Sequence, residues 1–127
     1  MGLASATVLG RIAMAGSESE ELSQFTGGAA ISEGGVEIDI ASFVEDGHSV
    51  PIIVRADGAE AIGLFALLNP TPELAIIRFT RLSATRAMST KIRLAASQDV
   101  IAVARMGDGT FRRATKHVSV ALGGCNV

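Results

Sequence analysis

The pattern that most constrains the fold is a series of short segments with β-strand alternation, which begins after Gly34. Val36, Ile38 and Ile40 alternate with two acids, as in a strand with one buried face. Further strands are predicted at Val50–Arg55, Ile62–Leu68, Ala75–Leu82, Thr90–Ala95, Val100–Arg105, Thr110–Thr115 and His117–Leu122. About seven short strands, separated by turn residues, predict an all-β chain folded as an antiparallel β-sandwich.

One short helix is predicted ahead of the strands, over residues 17–26. Ser17 can cap the first turn, while Leu22 and Phe25 have the spacing of one buried helix face. The sequence then divides into an N-terminal segment of unassigned origin (1–16), the sandwich with its helix (17–122) and a C-terminal arm (123–127). Residues 1–16 contain no recognisable export signal, because a basic start is missing and Arg11 interrupts the apolar run.

Ile62–Leu68 is the most apolar of the predicted strands. Such a strand is either central and covered on both faces, or part of an interface with another chain. We expect it to support a partner interface, and the exposed apolar surface to favour homo-oligomers when the chain is alone.

Composition excludes several functional classes. The chain has 127 residues, the size of one domain, and a net charge of −2, which predicts binding to neither nucleic acid nor membranes. The part through Glu73 carries −9 and the remainder +7, which we interpret as solvated faces of mixed sign. Within the basic part, Arg112, Arg113 and Lys116 form a cluster expected to attract anions.

The single cysteine, Cys125, follows Gly123 and Gly124 at the end of the chain. Two glycines give the backbone freedom and add no side chain to pack, so they are predicted to act as the hinge of a mobile arm. A free thiol has a pKa of about 8.5, so a small fraction is reactive thiolate near neutral pH. The arm would make this thiol portable, so that it can enter the active site of a partner.

Other chemistry lacks the required spacing. Cys125, His48, His117 and a methionine are the residue types of a copper site, but too few residues follow the cysteine for the cupredoxin order. No zinc motif or phosphate-binding glycine loop is present, so no metal or cofactor is predicted. A tethered cysteine is also a poor catalytic nucleophile, because catalysis needs fixed reacting atoms. We therefore predict a protein that is not an enzyme, with both histidines solvated.

Several motifs, taken in order, resemble the SoxY family of the bacterial thiosulfate-oxidising (Sox) system over about residues 17–127. They are Thr26-Gly27-Gly28-Ala29, Glu45-Asp46-Gly47-His48-Ser49-Val50-Pro51, Asn69-Pro70, Arg93-Leu94-Ala95, Gln98-Asp99-Val100, Ala102-Val103-Ala104, Met106-Gly107-Asp108-Gly109 and Gly123-Gly124-Cys125. Each motif is weak alone, but their order and the cysteine position together are specific. The chain differs from the usual Gly-Gly-Cys-Gly-Gly ending, because Asn126-Val127 make the tip bulkier.

The resemblance implies an immunoglobulin-like sandwich in the periplasm that pairs with a SoxZ-like subunit as a heterodimer. It also implies that Cys125 carries sulfur intermediates covalently, for processing by haem-containing SoxAX, SoxB and SoxCD types of enzyme. The competing hypothesis is a non-catalytic assembly domain whose cysteine crosslinks subunits.

Overall fold

The computed structural model describes residues 20–80 and 85–121 of the chain. Within them, a helix α1 at residues 20–26 precedes nine strands. The strands are β1 (Ile31–Glu33), β2 (Glu37–Asp39), β3 (Phe43–Val44), β4 (Val50–Arg55), β5 (Ala59–Phe65), β6 (Glu73–Arg78), β7 (Ala87–Ile92), β8 (Gln98–Met106) and β9 (Phe111–Val120).

The strands form two sheets that pack as an open sandwich. The larger sheet has the order β1-β9-β8-β5-β6, with β3 also pairing with β9, and the smaller has the order β2-β4-β7. A core of apolar side chains fills the space between the sheets, with Ile52, Val54, Ile62 and Leu64 among its fully buried members. The predicted all-β sandwich is therefore confirmed.

Helix α1 covers the outer face of the larger sheet. Leu22 is buried there, and the Phe25 ring lies edge-on to Phe65 and Phe111, with ring centroids 6.0 Å apart in both pairs. The prediction that Leu22 and Phe25 face inward is thus confirmed. Residues 17–19 of the predicted helix lie outside the described residues.

The C-terminal strand differs from its prediction. The two predicted strands 110–115 and 117–122 are one continuous strand, β9, up to Val120. Strand β9 lies inside the larger sheet, because the short strands β1 and β3 pair with it in parallel on the side opposite β8. Strands β1 and β3 were not predicted, because two or three residues are too few to show alternation. Their parallel pairing with β9 also differs from the predicted antiparallel sandwich.

Of the two interpretations of Ile62–Leu68, the structure shows the central strand covered on both faces, which removes the reason for expecting a partner interface there. The strand begins earlier, as β5 (Ala59–Phe65), and lies between β6 and β8. Its inner face packs in the sandwich core through Ile62 and Leu64, and its outer face packs under α1 through Phe65. Intrachain packing therefore accounts for the apolar run, and only Leu68, beyond the strand, is largely exposed.

Candidate functional site

The candidate site is the end of β9, from which the chain continues to the predicted arm. Two backbone bonds hold one side of it: Ser119 N–H donates to the Ser42 carbonyl (2.9 Å) and Ala121 N–H donates to the Val44 carbonyl (3.0 Å). On the other side, Ser97 Oγ accepts from Val120 N–H (2.7 Å) and lies 3.3 Å from the Val120 carbonyl oxygen. The end of β9 is therefore fixed from both sides. We call the end of β9 from Ser119 to Ala121, with its partners Ser42, Val44 and Ser97, the arm root.

Residues 122–127 lie outside the described residues, so the predictions for Cys125, Gly123 and Gly124 stay predictions. The structure does show what precedes them. Val120 is buried, and two residues separate it from the first glycine of the arm. The predicted arm would therefore follow directly after an anchored strand end.

A buried polar network stands beside the arm root. Gln98 is 4% exposed, and its amide oxygen accepts from Leu68 N–H (2.8 Å) while its amide nitrogen donates to Asn69 Oδ1 (2.9 Å) and the Ala96 carbonyl (3.1 Å). Asn69 in turn accepts from Ala95 N–H (2.8 Å). These bonds join the loop after β5 to the segment before β8, and so fix the position of Ser97 against β9.

His117 lies on the exposed outer face of β9, three residues before Val120. Its Nδ1 is 2.8 Å from Asp99 Oδ1 on the paired position of β8. An open cleft of about 460 Å³ adjoins the pair and is lined partly by Leu68 and Ile101. The prediction of a solvated histidine is confirmed here, and the pairing with Asp99 is a feature that sequence reasoning missed.

His48 is solvated as well, but it lies in the turn before β4, not on a strand. Its backbone N–H donates to Asp46 Oδ1 (2.9 Å), and its ring Nδ1 is 2.7 Å from the same oxygen. The backbone bond, followed by the side-chain bond, lowers the pKa of Asp46 from its ordinary value. Among the residues that the structure describes, no group of three His, Cys, Asp or Glu side chains could hold a metal ion.

Exposed apolar side chains lie on two sides of the arm root. Phe43, paired with Ser119 across β3 and β9, is 58% exposed. Leu68, joined through its N–H to Gln98, is 64% exposed.

Comparison with protein families gives a direct result. The model described as "Sulfur oxidation protein SoxY" matches residues 22–125, which is most of the chain and ends at the single cysteine. The chain belongs to the SoxY family. This confirms the resemblance read from the motifs, and with it a sulfur-carrier role in sulfur oxidation.

Solved structures agree with the SoxY assignment. The sulfur carrier protein SoxY from Chlorobium limicola f thiosulfatophilum is 25% identical, with a TM-score of 0.73 over 84% of this chain and 97% of that one. Superoxide reductase (neelaredoxin) from Ignicoccus hospitalis is 15% identical, with a TM-score of 0.60 over 68% of this chain and 80% of that one, and so shares the fold alone. No relative was found among curated protein sequences.

Several of the motifs that carried the SoxY resemblance contribute residues near the arm root, whereas Met106-Gly107-Asp108-Gly109 lies at the opposite end of β8. Asn69 and Gln98 form the buried network, Asp99 pairs with His117, and Gly47 accepts a backbone bond from Leu94 N–H (2.8 Å). The residue types were visible in the sequence, but their assembly at one end of the sandwich was not. No helix in the described part of the chain is long and apolar enough to cross a membrane.

Proposed function

We propose that this protein carries sulfur intermediates covalently on Cys125 and presents them to separate enzymes of sulfur oxidation, with Gly123 and Gly124 as the hinge. The observation that carries the proposal is the arm root, where β9 is fixed on both sides just before the glycines. A body that is rigid up to this point can dock on an enzyme while the thiol enters its active site. Catalytic groups are then supplied by the partner, so the chain is not itself an enzyme.

Loading with thiosulfate is an oxidation. The Cys125 thiolate forms an S–S bond with the sulfane sulfur of thiosulfate, and the two electrons released must pass to an oxidant. A haem-containing enzyme of the SoxAX type would accept them, and enzymes of the SoxB and SoxCD types would process the sulfonate and the remaining sulfur. Nothing in this step requires a cofactor held by the carrier.

Intact-mass spectrometry tests the assignment. The protein, purified without reductant, is incubated with thiosulfate and a haem-containing partner enzyme, and is expected to gain the mass of one S₂O₃ group that reductant removes. Cys125→Ser is the matched control, because the chain has no other cysteine. An unmodified wild-type mass with every partner supplied would refute the carrier role.

The Cys125→Ser variant also distinguishes the sulfur-carrier hypothesis from the hypothesis that the cysteine only crosslinks subunits. If the cysteine only joins subunits, Cys125→Ser converts a covalent dimer into a monomer and no sulfur adduct forms on the wild-type protein. Under our proposal Cys125→Ser leaves folding and partner binding intact and abolishes sulfur transfer alone. Non-reducing gels and light scattering distinguish the two results.

For the SoxZ-like subunit, β6 is a better candidate surface than β5. Within the described residues β6 pairs only with β5, and its apolar residues Leu74, Ala75, Ile76 and Ile77 are all half-buried. A free, apolar strand edge suits pairing with a strand of another chain. Ile76→Lys is expected to prevent a heterodimer with a co-expressed SoxZ-like chain, whereas Ser89→Lys on β7 is not.

Family membership also supports a periplasmic location. Fractionation of a sulfur-oxidising host, with detection of this chain by antibody, tests that assignment. Recovery in the cytoplasmic fraction would contradict it.

A further inference from the structure

A cleft of about 400 Å³ lies at the other end of the sandwich from the arm root, and three arginines line it. They come from separate places in the chain: Arg78 from the end of β6, Arg105 from near the end of β8, and Arg86 from just before β7. The small residues Gly58, Ala61 and Gly107 form part of the wall and leave space between the arginines.

The sheet register brings two of the arginines together. Arg78 on β6 and Arg105 on β8 both pair with Ala61 on β5, so all three residues lie in one row across the sheet. Strands are spaced about 4.8 Å apart, which puts the two arginine Cα atoms about 10 Å apart. Side chains of this length can converge above the methyl group of Ala61.

The third arginine is held in place. Arg86 Nη1 donates to the Ala59 carbonyl, and its guanidinium carbon lies 5.9 Å from the centre of the Phe79 ring. Arg86 is also half-buried, so its charge is less screened by water than those of its neighbours. A guanidinium has five N–H donors, and the bond to Ala59 uses one of them.

The charges that line this cleft do not balance. Among the described residues, Glu60 is the one carboxylate that lines it, with its Oε1 3.6 Å from Arg105 Nε. Three arginines therefore share this cleft with one carboxylate, and Glu73 lines the adjoining cleft that Arg78 and Arg105 also border, so positive charge still exceeds negative charge. Mutual repulsion of the cations favours the binding of an anion that brings further negative charge.

We propose that this cleft binds a small tetrahedral oxyanion with two negative charges, the class of sulfate and thiosulfate. Guanidinium groups donate parallel N–H pairs that match the oxygen spacing of such an anion. With two exposed arginines and one half-buried arginine, the dissociation constant is expected to be on the order of 1 mM.

This site is separate from the proposed carrier thiol of the same chain. Arg105 pairs with Phe111 at the start of β9, and the ten residues of β9 separate it from Val120 by about 30 Å. The five residues from Val120 to Cys125 span at most about 18 Å when fully extended. The anion site therefore does not depend on what Cys125 carries, and failure of either proposal leaves the other standing.

Titration followed by ¹H–¹⁵N NMR tests the proposal. Sodium sulfate is added to the Cys125→Ser protein, and sodium chloride at equal ionic strength serves as the reference. Saturable shifts are expected in the Nε–H signals of Arg78, Arg86 and Arg105. Repeating the titration with phosphate and with thiosulfate shows whether one sulfur anion is preferred or the dianionic tetrahedron alone is recognised.

Arg55 offers a matched control for Arg105. Their side chains are 56% and 55% exposed, and each lies 3.6 Å from a glutamate, but Arg55 does not line the cleft. Arg105→Ala is expected to weaken sulfate binding about five- to tenfold, and Arg55→Ala to leave it within a factor of two. Glu60→Gln should strengthen binding, and Arg105→Ala must still weaken it on that background.

Shifts that match those in chloride, or equal losses of affinity in Arg55→Ala and Arg105→Ala, would overturn the proposal. Either result would show that general screening, not a defined site, accounts for the response to sulfate. Preserved dispersion of the amide spectrum shows that each variant remains folded.

Discussion

Gln98→Ala is the substitution that most directly tests how the arm root is held. Gln98 is the buried amide whose three hydrogen bonds reach Leu68, Asn69 and Ala96. Alanine removes the acceptor for Leu68 N–H and both donated bonds at once. The loop after β5 and the segment before β8, which flank the arm root, then lose the connection that this side chain provides.

The size of the effect follows from the number of bonds. A typical intramolecular hydrogen bond contributes about 1 kcal/mol, and unpaired groups in a partly buried site cost more than the mean. Because Asn69 is half-buried and its neighbours Leu68 and Pro70 are exposed, water can satisfy some of the groups left behind, so we expect a loss of about 2–3 kcal/mol in the free energy of unfolding. For a domain of this size that lowers Tm by about 10 °C.

Urea denaturation followed by circular dichroism measures the loss, and an unchanged m-value shows that it reflects stability alone. Gln24→Ala on the exposed face of α1 is the control and should change stability by less than about 0.5 kcal/mol. A double-mutant cycle with Asn69→Ala should be non-additive by at least about 0.5 kcal/mol. An effect of Gln98→Ala no larger than that of Gln24→Ala would refute the reasoning.

Two further predictions concern packing and pH. Gly63→Ala should destabilise the fold by about 1–3 kcal/mol, since its Cβ would lie 2.9 Å from the buried Phe65 ring, whereas Gly107→Ala, with 3.6 Å to its nearest neighbour, should be tolerated in the same thermal unfolding assay. The lowered pKa of Asp46 means that its contribution to stability is present above the ordinary value of 3.8 and is lost as the pH falls through the folded-state pKa. Asp46→Asn should therefore unfold with a shallower pH dependence below pH 4 than the wild type, and equal pH profiles would contradict this.

The long strands were predictable from sequence because a strand buried on one face has apolar and polar side chains in alternation. Val50–Arg55 has the predicted bounds, with Val50, Ile52 and Val54 buried and the intervening residues exposed. Bounds failed where tertiary packing changes the pattern. β5 is covered on both faces and is followed directly by further apolar residues. No change of residue type therefore shows that Phe65 is its last residue.

The candidate site was predictable only in part, because its reactive residue lies in one short stretch of sequence and the residues that hold the strand before it come from several distant stretches. Cys125 and its glycines are adjacent in the chain and can be read directly. The residues that fix the arm root are distant from it in the sequence: Ser42 bonds Ser119 through its backbone carbonyl and Ser97 bonds Val120 through its hydroxyl, while Asn69 supports Ser97 indirectly through Gln98. The predicted basic cluster of Arg112, Arg113 and Lys116 has less net positive charge than the sequence indicates, because Arg113 Nε lies 2.7 Å from Glu33 Oε2 on β1.

Strand β8 carries parts of both proposed sites, which raises the question of whether they influence each other. Gln98 at one end supports the arm root, and Arg105 near the other end lines the cleft. Between them Val100, Ala102 and Ala104 are fully buried, and β5 and β9 pair with β8 along most of its length. About 30 Å along β9 separates the two sites, several times the screening length of about 8 Å at physiological salt, so the charge of an anion in the cleft has little direct effect at the arm root. An anion in the cleft should therefore act through the charge that it adds to the surface of this end of the molecule, and not through the thiol. Sulfate should accordingly alter the association rate with a charged partner while leaving the intrinsic reactivity of Cys125 with a small disulfide unchanged.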